Sequence, residues 1–176
     1  QLQTRKGVLD FIEIARKMPD VQFVWAGGAV FGKMSSGYEK IKYELENNLP
    51  NNVHFLGLID RNYMNEIYNI ADVMFLPSYE ELFPMSILEA MCINVPILLR
   101  DLDIYKSILP DYYIKGKNND DFIAKINLLK DDCDFYNKAV IMSSNGGKFY
   151  SKEHVASLWR EFYNDVSMEA YSGYTS

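Results

Sequence analysis

The sequence predicts an α/β domain, a Rossmann-like parallel sheet with helices on both faces. Three observations carry that expectation. Short apolar runs rich in β-branched and aromatic residues alternate with amphipathic stretches over the first hundred residues. The alternation recurs about every 20–25 residues, the spacing of right-handed βαβ units. The 176 residues suit one ordinary domain, residues 1–176, and no Gly-, Ser- or Pro-rich linker divides them.

The elements follow in order. Residues 1–7 read as a loop feeding directly into a helix, as if a strand before them were missing, so the chain reads as a fragment. Val8, Leu9, Phe11, Ile12, Ile14, Ala15 and Met18 recur at helical spacing, and Pro19-Asp20 ends that helix. Residues 21–26 form a strand punctuated by Gly27-Gly28. A polar loop leads to a charged helix over 38–49, and 53–57 make the next strand. Met64, Ile67, Tyr68 and Ala71 mark a helix, 73–77 a buried strand, 84–93 a short helix and 95–99 another strand. Beyond Arg100 the pattern weakens to a short strand at 112–114 and helices over 120–129, 133–144 and 152–166. The tail 170–176 reads as frayed. Tyr and Phe sit at core spacing, Cys92 reads as a core residue and Cys133 as a thiol near the surface.

Composition narrows the function. The chain is 48% hydrophobic and 24% charged, which excludes a disordered or fibrous protein. A formal net charge of -6 without a Lys/Arg cluster argues against nucleic acid and against a basic membrane-binding face. Two cysteines provide neither a disulfide framework nor a zinc site, and a cytoplasmic setting fits. No stretch approaches the roughly 20 apolar residues of a membrane span.

In open parallel sheets ligands bind beyond the carboxyl ends of the strands, where helix N-termini point free N–H groups outward. The loops to inspect are therefore 27–37, 57–61, 78–83 and 100–105. One segment stands out: Pro77-Ser78-Tyr79-Glu80-Glu81-Leu82-Phe83-Pro84-Met85-Ser86-Ile87-Leu88-Glu89-Ala90-Met91. Pro84 suits the first helical position, where its missing N–H costs nothing. The N–H groups of Met85 and Ser86 then face an anion, with the Glu81 carboxylate before the helix and Glu89 about one and a half turns into it. Glu80 reads as a surface charge.

Glu81 and Glu89, with Phe83 between them and Ala90-Met91 after, resemble the E-x7-E motif of family 4 of the retaining glycosyltransferases. Arg5-Lys6-Gly7 resembles that family's Lys-Gly loop. Val24-Trp25-Ala26-Gly27-Gly28 is similar to its second strand and turn, and Val53-His54-Phe55-Leu56-Gly57 to its next strand. Residues 64–72 resemble the following helix, and Phe149-Tyr150-Ser151 the step before the last one. The match runs from about residue 5 to residue 166. It implies the donor-binding half of a GT-B fold, whose N-terminal acceptor domain is absent from these 176 residues. The variant Glu81–Glu89 segment resembles bacterial members that glycosylate diacylglycerol lipids.

The resemblance implies roles. Lys6 would neutralise the donor diphosphate, and Glu81 would bind hydroxyls of the transferred sugar. Glu89 would hold the ribose, backbone groups of Gly57 to Ile59 the base, and N–H groups around Phe83, Pro84, Met85 and Ser86 the leaving diphosphate. Arg5 and Gly28 complete the substrate-binding set. The implied reaction moves a hexose from a nucleotide diphosphate sugar, a UDP-hexose, to a lipid or saccharide acceptor. Configuration is retained, and no metal or other cofactor takes part. The full-length enzyme would lie at the inner face of the membrane, touching it only through the missing domain. Leu82 and Pro84 replace glycines common in the family, Asn94 stands at a small-residue turn, and Asp101-Leu102-Asp103 replaces a Gly-Gly pair.

Other readings use the same residues. Asp101-Leu102-Asp103 mimics a metal-binding D-x-D, but on a parallel-sheet loop it reads as a turn. Gly27-Gly28-Ala29-Val30-Phe31-Gly32 half-matches a dinucleotide fingerprint, without the prompt helix or the ribose-binding acid. A sugar-nucleotide epimerase or phosphorylase would keep the fold. An epimerase needs acid/base groups in the cleft, and neither His54 nor His154 is placed for that. A non-catalytic partner-binding module would show an exposed apolar patch in place of the acidic-plus-Lys cleft.

Overall fold

A computed structural model describes residues 1–29 and 32–172. Val30 and Phe31 of the half-fingerprint loop and the last four residues of the tail lie outside them. A 3-10 turn at Thr4–Lys6 passes through Gly7 into α1 (Val8–Lys17). Then come β1 (Phe23–Ala26), α2 (Tyr38–Asn47), β2 (Val53–Gly57), α3 (Met64–Asn69), β3 (Met74–Leu76), α4 (Met85–Cys92) and β4 (Ile97–Arg100). The chain continues through α5 (Asp103–Ile108), β5 (Ile114–Gly116), α6 (Asn119–Asp131), α7 (Cys133–Phe149) and α8 (Lys152–Ser172).

All strand pairings are parallel and form two ladders, β1-β2 and β3-β4-β5. Strand alternation assigns side chains to the two faces. Leu98 and Phe75 pack with α1 and α6, in a cluster that also takes Phe11, Phe23 and Trp25. Ile97, Leu99, Met74 and Leu76 pack on the other side with Ile87, Ala90, Met91 and Tyr105 of α4 and α5. Both faces of β4 are therefore buried, which explains its unbroken apolar run. On β1-β2 the second face is more open, with Val24 and Leu56 exposed.

Asn52 fixes the end of α1 against β2. Its side-chain amide donates to the carbonyls of Ala15, Met18 and Val21 at 3.0, 2.9 and 2.8 Å. The carbonyls at a helix C-terminus lack helical partners, and a buried amide replaces the water they would otherwise need. Asn52→Ala is expected to cost about 2 kcal/mol of stability, measured by urea denaturation. A change within error would mean that solvent already serves those carbonyls.

Several expectations change. α5 was absent from the pattern because six residues are too few to display a periodic stripe. β5 begins at Ile114, since Asp111 turns the chain with φ 58° just before it. α7 runs five residues beyond Ser144, through Gly146 and Gly147. Those glycines mark a crossing, not an end: a Cβ on Gly147 would lie 2.6 Å from the Met91 carbonyl oxygen, and one on Gly146 2.7 Å from the Met91 sulfur. Helix-on-helix contact overrides their poor helix propensity. Asn94 adopts the left-handed conformation, φ 63°, that the resemblance assigns to a small residue, and Asn tolerates it through its short polar side chain.

Cys92 is exposed, not core. It closes α4 one step of about 100° past Met91 and so turns away from the buried face of Ile87, Ala90 and Met91. The aromatic residues of α8 also depart from core packing. Trp159, Phe162 and Tyr163 are 55%, 55% and 61% exposed and pack on one another along one face of the helix, Trp159 stacked on Tyr163 and Phe162 edge-on to both. α8 reaches Ser172, so the first residues of the expected frayed tail are helical.

Candidate functional site

Two loops that are distant in sequence meet at the carboxyl end of β3. Gly7 takes φ 73°, and a Cβ there would stand 2.3 Å from the Pro77 carbonyl oxygen. Only glycine allows both the left-handed backbone and that approach. The Tyr79 N–H donates to the Arg5 carbonyl at 2.8 Å and ties residues 5–7 to residues 77–79. Lys6 is thereby carried to Glu81: its Nζ donates to Glu81 Oε1 at 2.6 Å. The two side chains are only 16% and 4% exposed. The contact spans 75 residues of sequence. An ammonium has three protons, so this bond leaves Lys6 two donors, and Glu81 keeps a second oxygen.

α4 opens directly after this pair. Pro84 is not its first helical residue, as the sequence suggested, but its N-cap: ψ is 115°, extended, and its carbonyl accepts from the Ile87 N–H at 3.0 Å. The ring sits outside the first turn because the backbone at Pro84 itself is extended, φ -72° and ψ 115°. Met85 and Ser86 become the first two helical residues, whose N–H groups lack helical acceptors. The positive end of the helix dipole lies there as well. Met85 is exposed and Ser86 partly so.

Glu89 sits farther along α4 and is oriented from α3. The Tyr68 hydroxyl donates to its Oε2 at 2.8 Å, and the Arg61 guanidinium lies 3.8 Å from its Oε1. Burial first, and then the Glu89 carboxylate, push the Tyr68 phenol pKa well above its ordinary value, so Tyr68 remains a donor at neutral pH. On the β1-β2 side, Gly28 is buried beneath the Leu58 side chain and its carbonyl accepts from the Leu2 N–H at 3.1 Å. Gly57 turns out of β2 with φ 69°, and Ile59 follows it partly buried.

Phe83 and Arg5 sit differently from the others. The Phe83 ring packs edge-on against Tyr150, with centroids 5.4 Å apart, and the Tyr150 hydroxyl donates to the Ile108 carbonyl. Its side chain therefore anchors the loop, and only its backbone is left to face a ligand. Arg5 is exposed, with its Nε donating to Gln3 Oε1 at 2.8 Å. Asp103 opens α5 and pairs with Lys106 at 2.6 Å, which holds its carboxyl below the usual range, while the Asp101 N–H bonds the Gly116 carbonyl. The sequence read both acids as a turn; Asp101 lies in the loop after β4, whereas Asp103 is the first residue of α5. Among the described residues no group of three or more His, Cys, Asp or Glu side chains is arranged to hold a metal ion. Nor is any helix among them long and apolar enough to cross a membrane. His54 is exposed on β2 and bonds Gln22 at 2.9 Å.

Sequence reasoning missed Tyr68, Tyr105 and Arg100. Tyr68 was counted only as an apolar position of its helix. Tyr105 is fully buried, and its phenol pKa is raised by burial and by the nearby Glu81 carboxylate. The one available signal for Arg100 was a charged residue closing a strand that is otherwise wholly apolar.

The family model described as Glycosyl transferases group 1 matches residues 1–149. The chain is 41% identical over 163 residues to the alpha-galactosylglucosyldiacylglycerol synthase of Streptococcus pneumoniae (strain ATCC BAA-255 / R6), covering 93% of this chain and 43% of that protein. It is 36% identical over 123 residues to the processive diacylglycerol alpha-glucosyltransferase of Acholeplasma laidlawii, covering 67% of this chain and 35% of that protein. Among solved structures, Anabaena HepE in complex with UDP-glucose superposes with a TM-score of 0.73 at 20% identity, over 96% of this chain and 47% of that one. The chain thus spans less than half the length of these relatives.

Proposed function

The chain belongs to the group 1 glycosyl transferases, and from that membership we propose that residues 1–176 are the donor-binding domain of a retaining hexosyltransferase. The donor is a nucleotide diphosphate hexose, with UDP as the nucleotide, and the acceptor is a lipid or saccharide. The relatives named as diacylglycerol glycosyltransferases support a lipid acceptor. The HepE complex supports UDP-glucose as the kind of donor. A further domain, making up the remaining length of the relatives, binds the acceptor, and the exposed aromatic face of α8 supports such a neighbour.

The observation that carries this reading is the enclosed Lys6–Glu81 pair beside the N-terminus of α4. A diphosphate placed there meets two remaining Lys6 protons and the N–H groups of Met85 and Ser86. The free Glu81 oxygen accepts from hydroxyls of the sugar, while Glu89, held by Tyr68, takes the ribose hydroxyls. Gly28, Gly57 and Ile59 border the base. In the reaction the bond from the anomeric carbon to the diphosphate oxygen breaks. Negative charge grows on that oxygen, and preorganised donors aimed at growing charge lower the barrier. The acceptor oxygen bonds to the anomeric carbon on the same face and passes its proton to the departing diphosphate oxygen. The site uses fixed cationic and dipolar groups, so binding does not require a metal.

Isothermal titration of the chain with UDP, GDP and ADP, with and without EDTA, tests this. The expected result is micromolar to millimolar UDP binding that survives EDTA. Loss with EDTA would return Asp101 and Asp103 to consideration, and silence with all three nucleotides would overturn the reading.

A further inference from the structure

Arg100 closes β4 and is 8% exposed, although it carries a permanent charge. A buried guanidinium is tolerated only when its charge and its donors are matched, and here the matching comes partly from the Pro77–Tyr79 loop and partly from α1, α6 and the turn before α6. Nε donates to the Pro77 carbonyl at 3.0 Å, and one terminal nitrogen pairs with Asp10 Oδ2 at 3.2 Å. The other terminal nitrogen lies 3.5 Å from the Lys117 carbonyl. The Tyr79 ring covers the guanidinium carbon at 4.0 Å, and Phe122 lies on it at 5.3 Å. The Asp10 carboxylate is itself held by Asn119 Nδ2 at 3.1 Å.

Two of these contacts, to Pro77 and Tyr79, reach the site. The Pro77 carbonyl is approached by Gly7 and is bonded by Arg100. Tyr79 lays its ring over Arg100 and gives its N–H to Arg5. Ser78 between them is fully buried. Arg100 thus holds the Pro77–Tyr79 loop directly and the Arg5–Gly7 loop through it, and has no polar contact of its own with Lys6 or Glu81. Lysine could not replace it, because a point charge supplies neither the fork nor the stacking plane.

We propose that Arg100 is a positioning residue for the donor site, clamping Pro77 and Tyr79 so that Lys6 and Glu81 hold the geometry that receives a diphosphate. The proposal rests on the donor-site reading above, and the test separates the two. Affinities of the chain for UMP and UDP are measured by titration in wild type, Arg100→Met and Arg100→Lys, alongside a ligand-free crystal structure of Arg100→Met. The increment from UMP to UDP reports on the diphosphate contacts. Arg100→Met is expected to reduce that increment at least tenfold while leaving UMP affinity within twofold, because Tyr68 and Glu89 stand apart from the clamp. Arg100→Lys is expected to restore less than half of the increment on a logarithmic scale.

A merely structural role would weaken both ligands alike, in step with a lower melting temperature, and would overturn the proposal. An unchanged increment would do the same. If the wild type binds neither nucleotide, the donor-site reading fails. The crystal structure then decides the positioning role: Lys6 and Glu81 more than 4 Å apart upholds it, and the pair intact overturns it. Should Arg100→Met not fold, Tyr79→Leu removes the stack from a half-exposed position and is expected to reduce the UDP increment in the same direction.

Discussion

Lys6→Met is expected to abolish binding of a nucleotide diphosphate sugar and to cost about 3 kcal/mol of folding stability, while Lys6→Met/Glu81→Gln regains most of the stability and none of the binding. The stability half follows from enclosure. Glu81 is 4% exposed at its side chain and its partner 16%. Removing one member of such a pair strands the other charge away from water, which is strongly destabilising, whereas neutralising both members is often nearly free. The binding half follows from what the pair does besides pairing. Lys6 retains two donors and Glu81 one oxygen, and neither Met nor Gln can neutralise a diphosphate. Urea denaturation and titration with a UDP-hexose of the two single variants and the double variant read both halves. A double variant that still binds would make the pair structural and move the donor elsewhere. A Lys6→Met chain as stable as wild type would mean that Glu81 reaches water.

Much of this arrangement was legible in one dimension because its signals are local. The βαβ rhythm comes from side-chain periodicity, and the start of α4 from a proline followed by polar and apolar residues at helical spacing. Where local signals were weak or overruled, the reading slipped. The helix over 133–144 is read short of Gly146 and Gly147, poor helix formers, yet the helix continues there because α4 crosses it, with the Met91 carbonyl oxygen 2.6 Å from where a Gly147 Cβ would stand. Cys92 looked like core because its neighbours are, although one residue of helix rotation carries it to the surface. Pro84 was shifted by one position because ring geometry suits either side of the helix start.

The site itself divides in the same way. The residue types at 6, 81 and 89 were readable, but the direct bond across 75 residues was not, since no local pattern encodes which loops a parallel sheet brings side by side. The roles first assigned to Lys6 and Glu81 treated them as separate contacts to a donor. Their ion pair adds that each orients the other before any ligand arrives, so the site is preorganised and less conformational freedom is lost on binding. Tyr68 and Arg100 escaped notice because a tyrosine within an apolar stripe and an arginine at a strand end acquire meaning only from what they touch.

Gly7→Ala is expected to lower the melting temperature by roughly 5–20 °C, the range that about 2–5 kcal/mol implies for a chain of this size. Two costs combine. The φ of 73° places an L side chain in the left-handed region, worth roughly 1–2 kcal/mol. The new Cβ would also meet backbone, the Pro77 oxygen at 2.3 Å and its carbon at 2.7 Å, and relieving such overpacking costs about 1–3 kcal/mol. Gly146→Ala supplies the comparison. There the close atoms are the Met91 sulfur and methyl at 2.7 and 3.1 Å and the Tyr112 Cβ at 3.1 Å. The thioether can swing aside, and alanine in a helix gains about 1 kcal/mol over glycine, so that variant is expected to melt within a few degrees of wild type. The contrast isolates the backbone contact: Gly7 is required because the Lys6 loop must lie directly on the Pro77 carbonyl for its ammonium to reach Glu81. Gly7→Ala should therefore lose UDP affinity even at temperatures where it remains folded. A Gly7→Ala chain that melts and binds like wild type would remove the physical reason for placing Lys6 beside Glu81.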